Sequence, residues 1–229
     1  MAECYHPPPQ PPDEACPSMK RPHDKAPHAP STRPPTTKPA GVVRIIGGDW
    51  RGTRLPVADH DGLRPTADRV RETLFNWLQP MLPGARVLDL FAGTGALGLE
   101  AVSRGAREAV LVERDPQLAD GLRQLVAKLP GGERVQVVCA DALSWLRTTS
   151  GSFDPAGFDL AGFDLIFVDP PFAGDLWRPA FDAMEGHLAD EAWLYVESPS
   201  PVQPGAVWRP HRAGQTRDVH YALYRRGLG

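Results

Sequence analysis

A strand that cannot continue constrains this chain more than any other feature. Phe163-Asp164-Leu165-Ile166-Phe167-Val168 is an apolar, β-branched run of strand length, and Asp169-Pro170-Pro171-Phe172 follows it at once. Runs of this kind are buried on both faces of a parallel sheet. The two prolines remove two backbone donors and fix two φ angles, so nothing regular continues past Asp169. The outcome is a carboxylate, a rigid pair of carbonyls and an aromatic ring at the carboxyl end of a sheet strand. Open α/β sheets bind their ligands at that end.

The residues around this stretch supply the rest of such a sheet. Strands are expected at 86–91, 109–113 and 135–139, with a helix after the 92–98 glycine loop that ends at about 103, and helices at about 116–129 and 142–147. This βαβαβ order implies a parallel sheet with right-handed crossovers. Beyond Phe172 the pattern predicts a helix over 177–188 and a strand over 192–197. Two terminal strands, near 207–211 and 219–225, close the sheet. Just before the proline-terminated strand, Phe153-Asp154-Pro155-Ala156-Gly157 and Phe158-Asp159-Leu160-Ala161-Gly162 copy its opening residues. We read them as a surface-loop expansion with no chemical role.

Composition divides the chain. Residues 1–40 hold 12 of its 26 prolines and almost no aliphatic side chains. Nothing there offsets chain entropy, which predicts a disordered, partly polyproline II tail. Cys4, Cys16, His23 and His28 match no standard zinc spacing, and no metal is expected anywhere in the chain. An extension over 41–80 and the sheet domain over 81–229 complete the expected organisation. Three cysteines provide no disulfide framework and fit a reducing cytoplasm. No run approaches the roughly 18 apolar residues of a membrane span. The formal net charge of -3 works against a nucleic-acid partner, so any such affinity must come from local arginine clusters.

The extension supplies those clusters. Residues 42–46 and 49–57 read as the two strands of a hairpin, punctuated by Arg44, Arg51 and Arg54 with Trp50 between them. Basic residues beside an aromatic suit phosphate contact and base stacking, with a solvated hairpin face as the alternative. In the helix that follows, Val70, Leu74, Trp77 and Leu78 share one face, and Thr66 can cap its start. Arg64, Arg69 and Arg71 gather near that start. Cations there oppose the helix dipole, which fits a bound anion such as phosphate, or else solvated arginines.

Phe91-Ala92-Gly93-Thr94-Gly95-Ala96-Leu97-Gly98 contains the pattern G-x-G-x-x-G, and Glu113 lies 20 residues beyond Gly93. That is the spacing of a dinucleotide fingerprint. Asp89 argues against a dinucleotide, because a carboxylate beside the loop would repel pyrophosphate. It would attract the ammonium and sulfonium of S-adenosylmethionine. Glu113, followed by Arg114, can accept from ribose hydroxyls, and Asp141, followed by Ala142, from the adenine amine. Asp169 borders the same cofactor cradle. The alternative is that these strand-end acids are helix caps.

The motifs together resemble the bacterial 16S ribosomal RNA (guanine-N2)-methyltransferase family of the RsmD type. The likeness runs through Arg44-Ile45-Ile46-Gly47-Gly48, Trp50-Arg51-Gly52, Arg64-Pro65-Thr66 and Asp68-Arg69-Val70-Arg71-Glu72-Thr73-Leu74-Phe75-Asn76. It continues through the glycine loop, Phe167-Val168-Asp169-Pro170-Pro171-Phe172 and Tyr195-Val196-Glu197. The glycine loop and Asp-Pro-Pro-Phe occur in many amino-methyltransferases; the arginine-rich segment is narrower and carries the resemblance. Gln124, Arg217 and the longer 148–163 loop depart from the family pattern.

The resemblance implies a class I methyltransferase fold, a Rossmann-like seven-stranded sheet whose last strand is antiparallel, preceded by a small hairpin-and-helix extension. It also implies methylation of the exocyclic N2 of guanine 966 in 16S rRNA, on an assembled or assembling small ribosomal subunit, by a cytoplasmic monomer. Asp169 and the Pro170 carbonyl would accept the amine hydrogens, with Pro171 holding the turn and Phe172 stacking on the base. Three other classes remain open: an adenine-N6 nucleic-acid methyltransferase, a non-catalytic ribosome assembly factor, and, more distantly, a nicotinamide-dependent dehydrogenase.

Overall fold

The computed structural model describes residues 43–55, 68–149 and 162–227. The proline-rich tail, the Arg64-Pro65-Thr66 segment and the repeated Phe-Asp units at 153 and 158 lie outside these residues.

Two short strands, β1 (Val43–Arg44) and β2 (Arg54–Leu55), pair antiparallel as the expected hairpin. Helix α1 (Asp68–Leu78) follows. Then come β3 (Arg86–Asp89), α2 (Ala96–Ser103), β4 (Glu108–Glu113), α3 (Pro116–Val126), β5 (Val135–Cys139) and α4 (Ala142–Thr149). The chain continues with β6 (Phe163–Val168), α5 (Trp177–Ala183), β7 (Leu188–Ser198), β8 (Trp208–Gln215) and β9 (His220–Arg226). The main sheet has the order β5-β4-β3-β6-β7-β9-β8. Strands β3 to β7 pair in parallel, and β9 runs antiparallel between β7 and β8. This is the expected seven-stranded, doubly wound fold.

Alternation along the strands splits the core into two layers. Val87, Leu111, Leu165, Phe167 and Tyr195 face α1, α2, α3 and the hairpin. Leu88, Val110, Ile166, Val168 and Leu194 face α4 and α5. Both faces of β6 are therefore covered, which is why its sequence is continuously apolar. Several element ends differ from expectation. Helix α5 stops at Ala183, a 3-10 turn spans Glu185–His187, and β7 begins at Leu188. Strand β3 ends at Asp89, because the chain turns there into the glycine loop.

The hairpin joins the sheet domain through a buried polar clamp. Glu100 on α2 is fully buried, and its carboxylate accepts the backbone N–H groups of Ile46 at 2.6 Å and Gly47 at 2.7 Å. Ser103 Oγ accepts Trp50 N–H at 2.9 Å and donates to Gly47 O at 2.6 Å. Gly48, at φ 75°, passes so close that an added Cβ would lie 1.7 Å from Ser103 O. Only glycine fits there.

This clamp corrects two expectations. Trp50 is 3% exposed, donates its indole N–H to Pro130 O at 2.9 Å and packs in the core, so it offers no face for stacking on a base. Arg71 is wholly buried: one guanidinium nitrogen donates to Arg44 O and Asp68, and another lies 3.9 Å from Glu100. It is a structural cation, not a phosphate contact. The buried face of α1 is wider than its leucine spacing suggested and includes Arg71 and Phe75. Trp77 is only partly buried and stacks on Tyr221 at 5.7 Å.

Candidate active site

Chain topology reverses between β3 and β6: β4 and β5 extend the sheet to one side, β7 to β9 to the other. Ligands bind open α/β sheets at the carboxyl ends of strands beside such a switch point. Asp89 ends β3, and Asp169 follows the last residue of β6. The register pairs Asp89 with Phe167, so Asp89, Phe167 and Asp169 share the α1/α2 face of the sheet.

The loop after β3 is held from below by its neighbours. Leu90 N–H donates to Phe167 O at 3.2 Å, and Ala92 N–H to Val112 O at 3.0 Å. Gly95 has φ 76°, and a Cβ there would stand 2.7 Å from Leu122 in the core. Thr94, Ala96 and Leu97 are buried, while Phe91 and Gly93 are partly exposed. The Glu113 carboxylate, 8% exposed, accepts Gly93 N–H at 2.8 Å with one oxygen and Asp115 N–H at 2.8 Å with the other. It thereby ties the glycine loop to the turn after β4. A carboxylate oxygen has two lone pairs, so this pinning leaves each oxygen capacity for a hydroxyl donor.

Asp89 sits deeper, at 2% exposure, and accepts Gly98 N–H from the first turn of α2 at 3.0 Å. Burial raises its pKa from 3.8 to about 7, opposed by hydrogen bonds from the Gly98 and Phe91 backbone and reinforced by the nearby Glu113 charge. Helix α2 has no side-chain cap at Gly95, and Asp89 serves that end from the strand. Asp141 is different: it is exposed, accepts Ser144 N–H at 2.9 Å and caps α4. That hydrogen bond is the main cause of its lowered pKa, with Arg147 and Arg114 adding smaller electrostatic contributions. Capping therefore accounts for one oxygen of Asp141, while buried Ala142 begins the helix. The side chains that end or follow the three strands, Asp89, Glu113 and Asp141, are all carboxylates. This set fits a ligand bearing cations, hydroxyls and an amine, and does not fit pyrophosphate.

Asp169 is partly exposed, Pro170 is buried and Pro171 is exposed. Pro171 O accepts Gly174 N–H at 3.3 Å, closing the turn that displays the motif. Phe172 is half-buried and tilts against Trp177 at 5.9 Å, which limits its motion. A pair without an assigned role in the sequence lies beside this turn. Buried Tyr195 donates its hydroxyl to the buried carboxylate of Glu197 at 2.8 Å, and Trp177 donates to Glu197 O at 2.7 Å. Burial raises the Tyr195 pKa well above its usual value, with Glu197 and Asp169 both contributing. The sequence signal was there: two polar residues at i, i+2 spacing in an otherwise apolar strand end.

Of the expected RNA contacts, Arg44, Arg51, Arg54 and Arg69 are exposed. Trp50 and Arg71 are buried, as described, and Arg64 lies outside the described residues. Further basic side chains stand on β8 and β9, where Arg209, His211, Arg212 and Arg225 are exposed.

The family model described as "Conserved hypothetical protein 95" matches residues 43–225. Ribosomal RNA small subunit methyltransferase D of Escherichia coli strain K12 is 46% identical over 193 residues, covering 82% of this chain and 91% of that protein. The chain belongs to the ribosomal RNA small subunit methyltransferase D family. The solved structure of a putative methyltransferase, yhhF, from Escherichia coli matches with a TM-score of 0.71 and 44% identity, over 82% of this chain and 100% of that one. An RNA methyltransferase from Salinibacter ruber, solved with S-adenosyl-L-homocysteine, shares the fold at a TM-score of 0.55 and 12% identity, over 72% of this chain and 95% of that one. The family-model match spans the hairpin, α1 and the main sheet up to residue 225.

Proposed function

We propose that this chain transfers a methyl group from S-adenosylmethionine to the exocyclic N2 of a guanine in 16S rRNA, within an assembled or assembling small subunit. The family resemblance points to guanine 966 as that base. The carrying observation is the turn Asp169-Pro170-Pro171-Phe172, displayed at the topological switch beside the acid-lined glycine loop.

When bound, S-adenosylmethionine supplies a methyl group already activated by a sulfonium, so the chain's task is to orient and polarise the amine. Guanine N2 is a poor nucleophile because its lone pair is delocalised into the ring. Asp169 and the carbonyl of Pro170 would accept hydrogen bonds from its two hydrogens and turn the lone pair toward the methyl; the N–C bond forms as the S–C bond breaks, and the surplus N2 proton leaves to water. Phe172, steadied by Trp177, provides an aromatic face for the base. Orientation and matched electrostatics then supply most of the acceleration, without a strong base. Asp89, Glu113 and Asp141 would hold the cofactor's cation, ribose and adenine, with residues 91–97, Arg114 and Ala142 completing its site. Arg44, Arg51, Arg54 and Arg69 face the RNA. The target base must leave any stack to reach this turn.

Nucleoside mass spectrometry of small-subunit RNA, from cells with and without the gene, tests the reading. Loss of one N2-methylguanosine per subunit is expected in the deletion strain. An unchanged methylguanosine content, or loss of N6-methyladenosine instead, would refute it.

A further inference from the structure

His211, Arg212 and Arg225 of β8 and β9 line a groove that the functional reading does not use, and Arg209 stands beside it on the same sheet face. A cavity of about 560 Å³ opens between the end of α1 and strands β7 to β9, lined by Trp77, Met81, Trp193, His211, Arg212 and Arg225. Its size falls in the range of small-ligand sites. Register places it on a known face. Trp193 pairs with Leu165 and Arg225, and Tyr195 pairs with Phe167 and Leu223, so Trp193 and Arg225 share the sheet face of Asp169. Arg209 pairs with Arg225 and Arg212 with Leu223, which brings both to the same face. The four strand steps from Trp193 to Glu197 cover about 13 Å along β7. The groove is thus a few nucleotides, at most, from the catalytic edge.

Its chemistry is that of a single-stranded RNA site. The Arg225 guanidinium lies 5.7 Å from the centre of the Trp193 ring, and His211 meets the same ring edge-on at 4.9 Å. Trp77, stacked on Tyr221, also lines the cavity. Aromatic walls beside a cationic track are the pattern by which proteins hold unpaired bases and their backbone. Arg209 and Arg225 stand directly cross-strand, which concentrates positive charge at this point of the sheet. Glu191 pairs with Arg225 at 3.0 Å, but neither Arg209 nor Arg212 has an ion-pair partner among the described residues. A register shift between Pro210 and Arg212 re-aims β8 at this point. Charges on an edge strand also discourage pairing with other chains. That role does not call for aromatic walls or for a cavity on the sheet face.

We propose that this groove is a second RNA-contact site, in which Arg209, Arg212 and Arg225 hold phosphates and Trp77 and Trp193 flank a base of the strand next to the target nucleotide. The proposal rests on the chain acting on RNA. Its two leading arginines are two residue pairs apart along β9, about 7 Å, comparable to the phosphate repeat of an extended strand.

The test measures binding of an unpaired RNA oligonucleotide spanning the target by full-length Arg209→Ala/Arg212→Ala, across a range of salt. At about 0.15 M salt, affinity should fall about tenfold. The slope of log affinity against log salt should flatten by about 1.4, at about 0.7 per single-strand phosphate contact. Cofactor affinity and thermal midpoint should stay native, and Arg209→Lys/Arg212→Lys should recover most of the loss. Native affinity and slope in a folded Ala variant would overturn the proposal. So would native RNA affinity combined with slower methylation of ribosomal particles, which would assign the groove to a ribosomal protein. Because RNA binding is read directly, failure here is distinct from failure of the functional reading, which would show as no methyl transfer to RNA by the native chain.

Discussion

Asp169 and Asp89 show how position along a strand decides what a carboxylate does. Asp169 stands one residue past the end of β6, partly in solvent, where it can meet a substrate amine. Replacing it by Ala should lower the single-turnover rate by roughly 10² or more, the scale for loss of one preorganised polar contact to a transition state. Cofactor affinity should stay within about threefold. Asp169→Asn should be milder, since an amide oxygen still accepts one hydrogen; equal loss in both variants would show that charge matters more than acceptor geometry. Asp89 lies inside the protein, and burial lifts its pKa from 3.8 to about 7. Between those values the folded chain holds a proton that the unfolded chain releases. Its contribution to stability is therefore fully present below about pH 4 and lost as pH rises through 7. A cationic ligand beside it favours the carboxylate and expels that proton. Affinity for S-adenosylmethionine should accordingly rise with pH between about 5.5 and 7.5, with proton release measurable by calorimetry in buffers of different ionisation enthalpy. Asp89→Asn should abolish the pH dependence; a slope that persisted would place the titrating group elsewhere.

At the level of elements, the hairpin depends on α2 more than on its own two-residue strands. Glu100→Ala would leave buried Arg71 with only the exposed Asp68 carboxylate and free the Ile46 and Gly47 N–H groups, so it should cost about 3–5 kcal/mol, measurable by denaturant unfolding. A loss below about 1 kcal/mol would mean that Asp68 alone satisfies Arg71. This clamp also marks where sequence pattern stops being informative. The strands, the proline-terminated turn and the three strand-end acids were legible, because period-two burial and proline chemistry act within a few residues. Arg71 and Trp50 were misread because their partners, Glu100 and Pro130, lie 29 and 80 residues away, and no local pattern announces a cation meant for the core. Likewise, Tyr195-Val196-Glu197 was visible as a motif, but its place beside Asp169 required the β6–β7 register. The helical boundary at Ala183 was missed because nothing local marks where a helix yields to a 3-10 turn and strand.

Taken whole, the molecule must attract a polyanion while carrying a formal charge of -3. Salt dependence separates the arginines that serve this task from those that serve the fold. Arg51 and Arg54 are exposed on the hairpin, so Arg51→Ala/Arg54→Ala should weaken RNA binding and flatten its salt slope by about 0.7 for each phosphate contact removed. Thermal stability should change little, since exposed side chains away from special geometry contribute within about 0.5 kcal/mol. Trp50→Ala should do the reverse. It empties a core position and removes the indole bond to Pro130, which should cost about 3–5 kcal/mol, yet it touches no phosphate. Its RNA affinity, measured well below its lowered melting temperature, should keep the native salt slope. If Trp50→Ala flattened the slope while leaving the melting temperature unchanged, the indole would have to leave the core to meet RNA, and the clamp on α2 would be a closed state of a movable hairpin. If Arg51→Ala/Arg54→Ala left the slope native, the hairpin would face away from the RNA, and the polyanion would have to be gripped by other basic surfaces of the sheet domain.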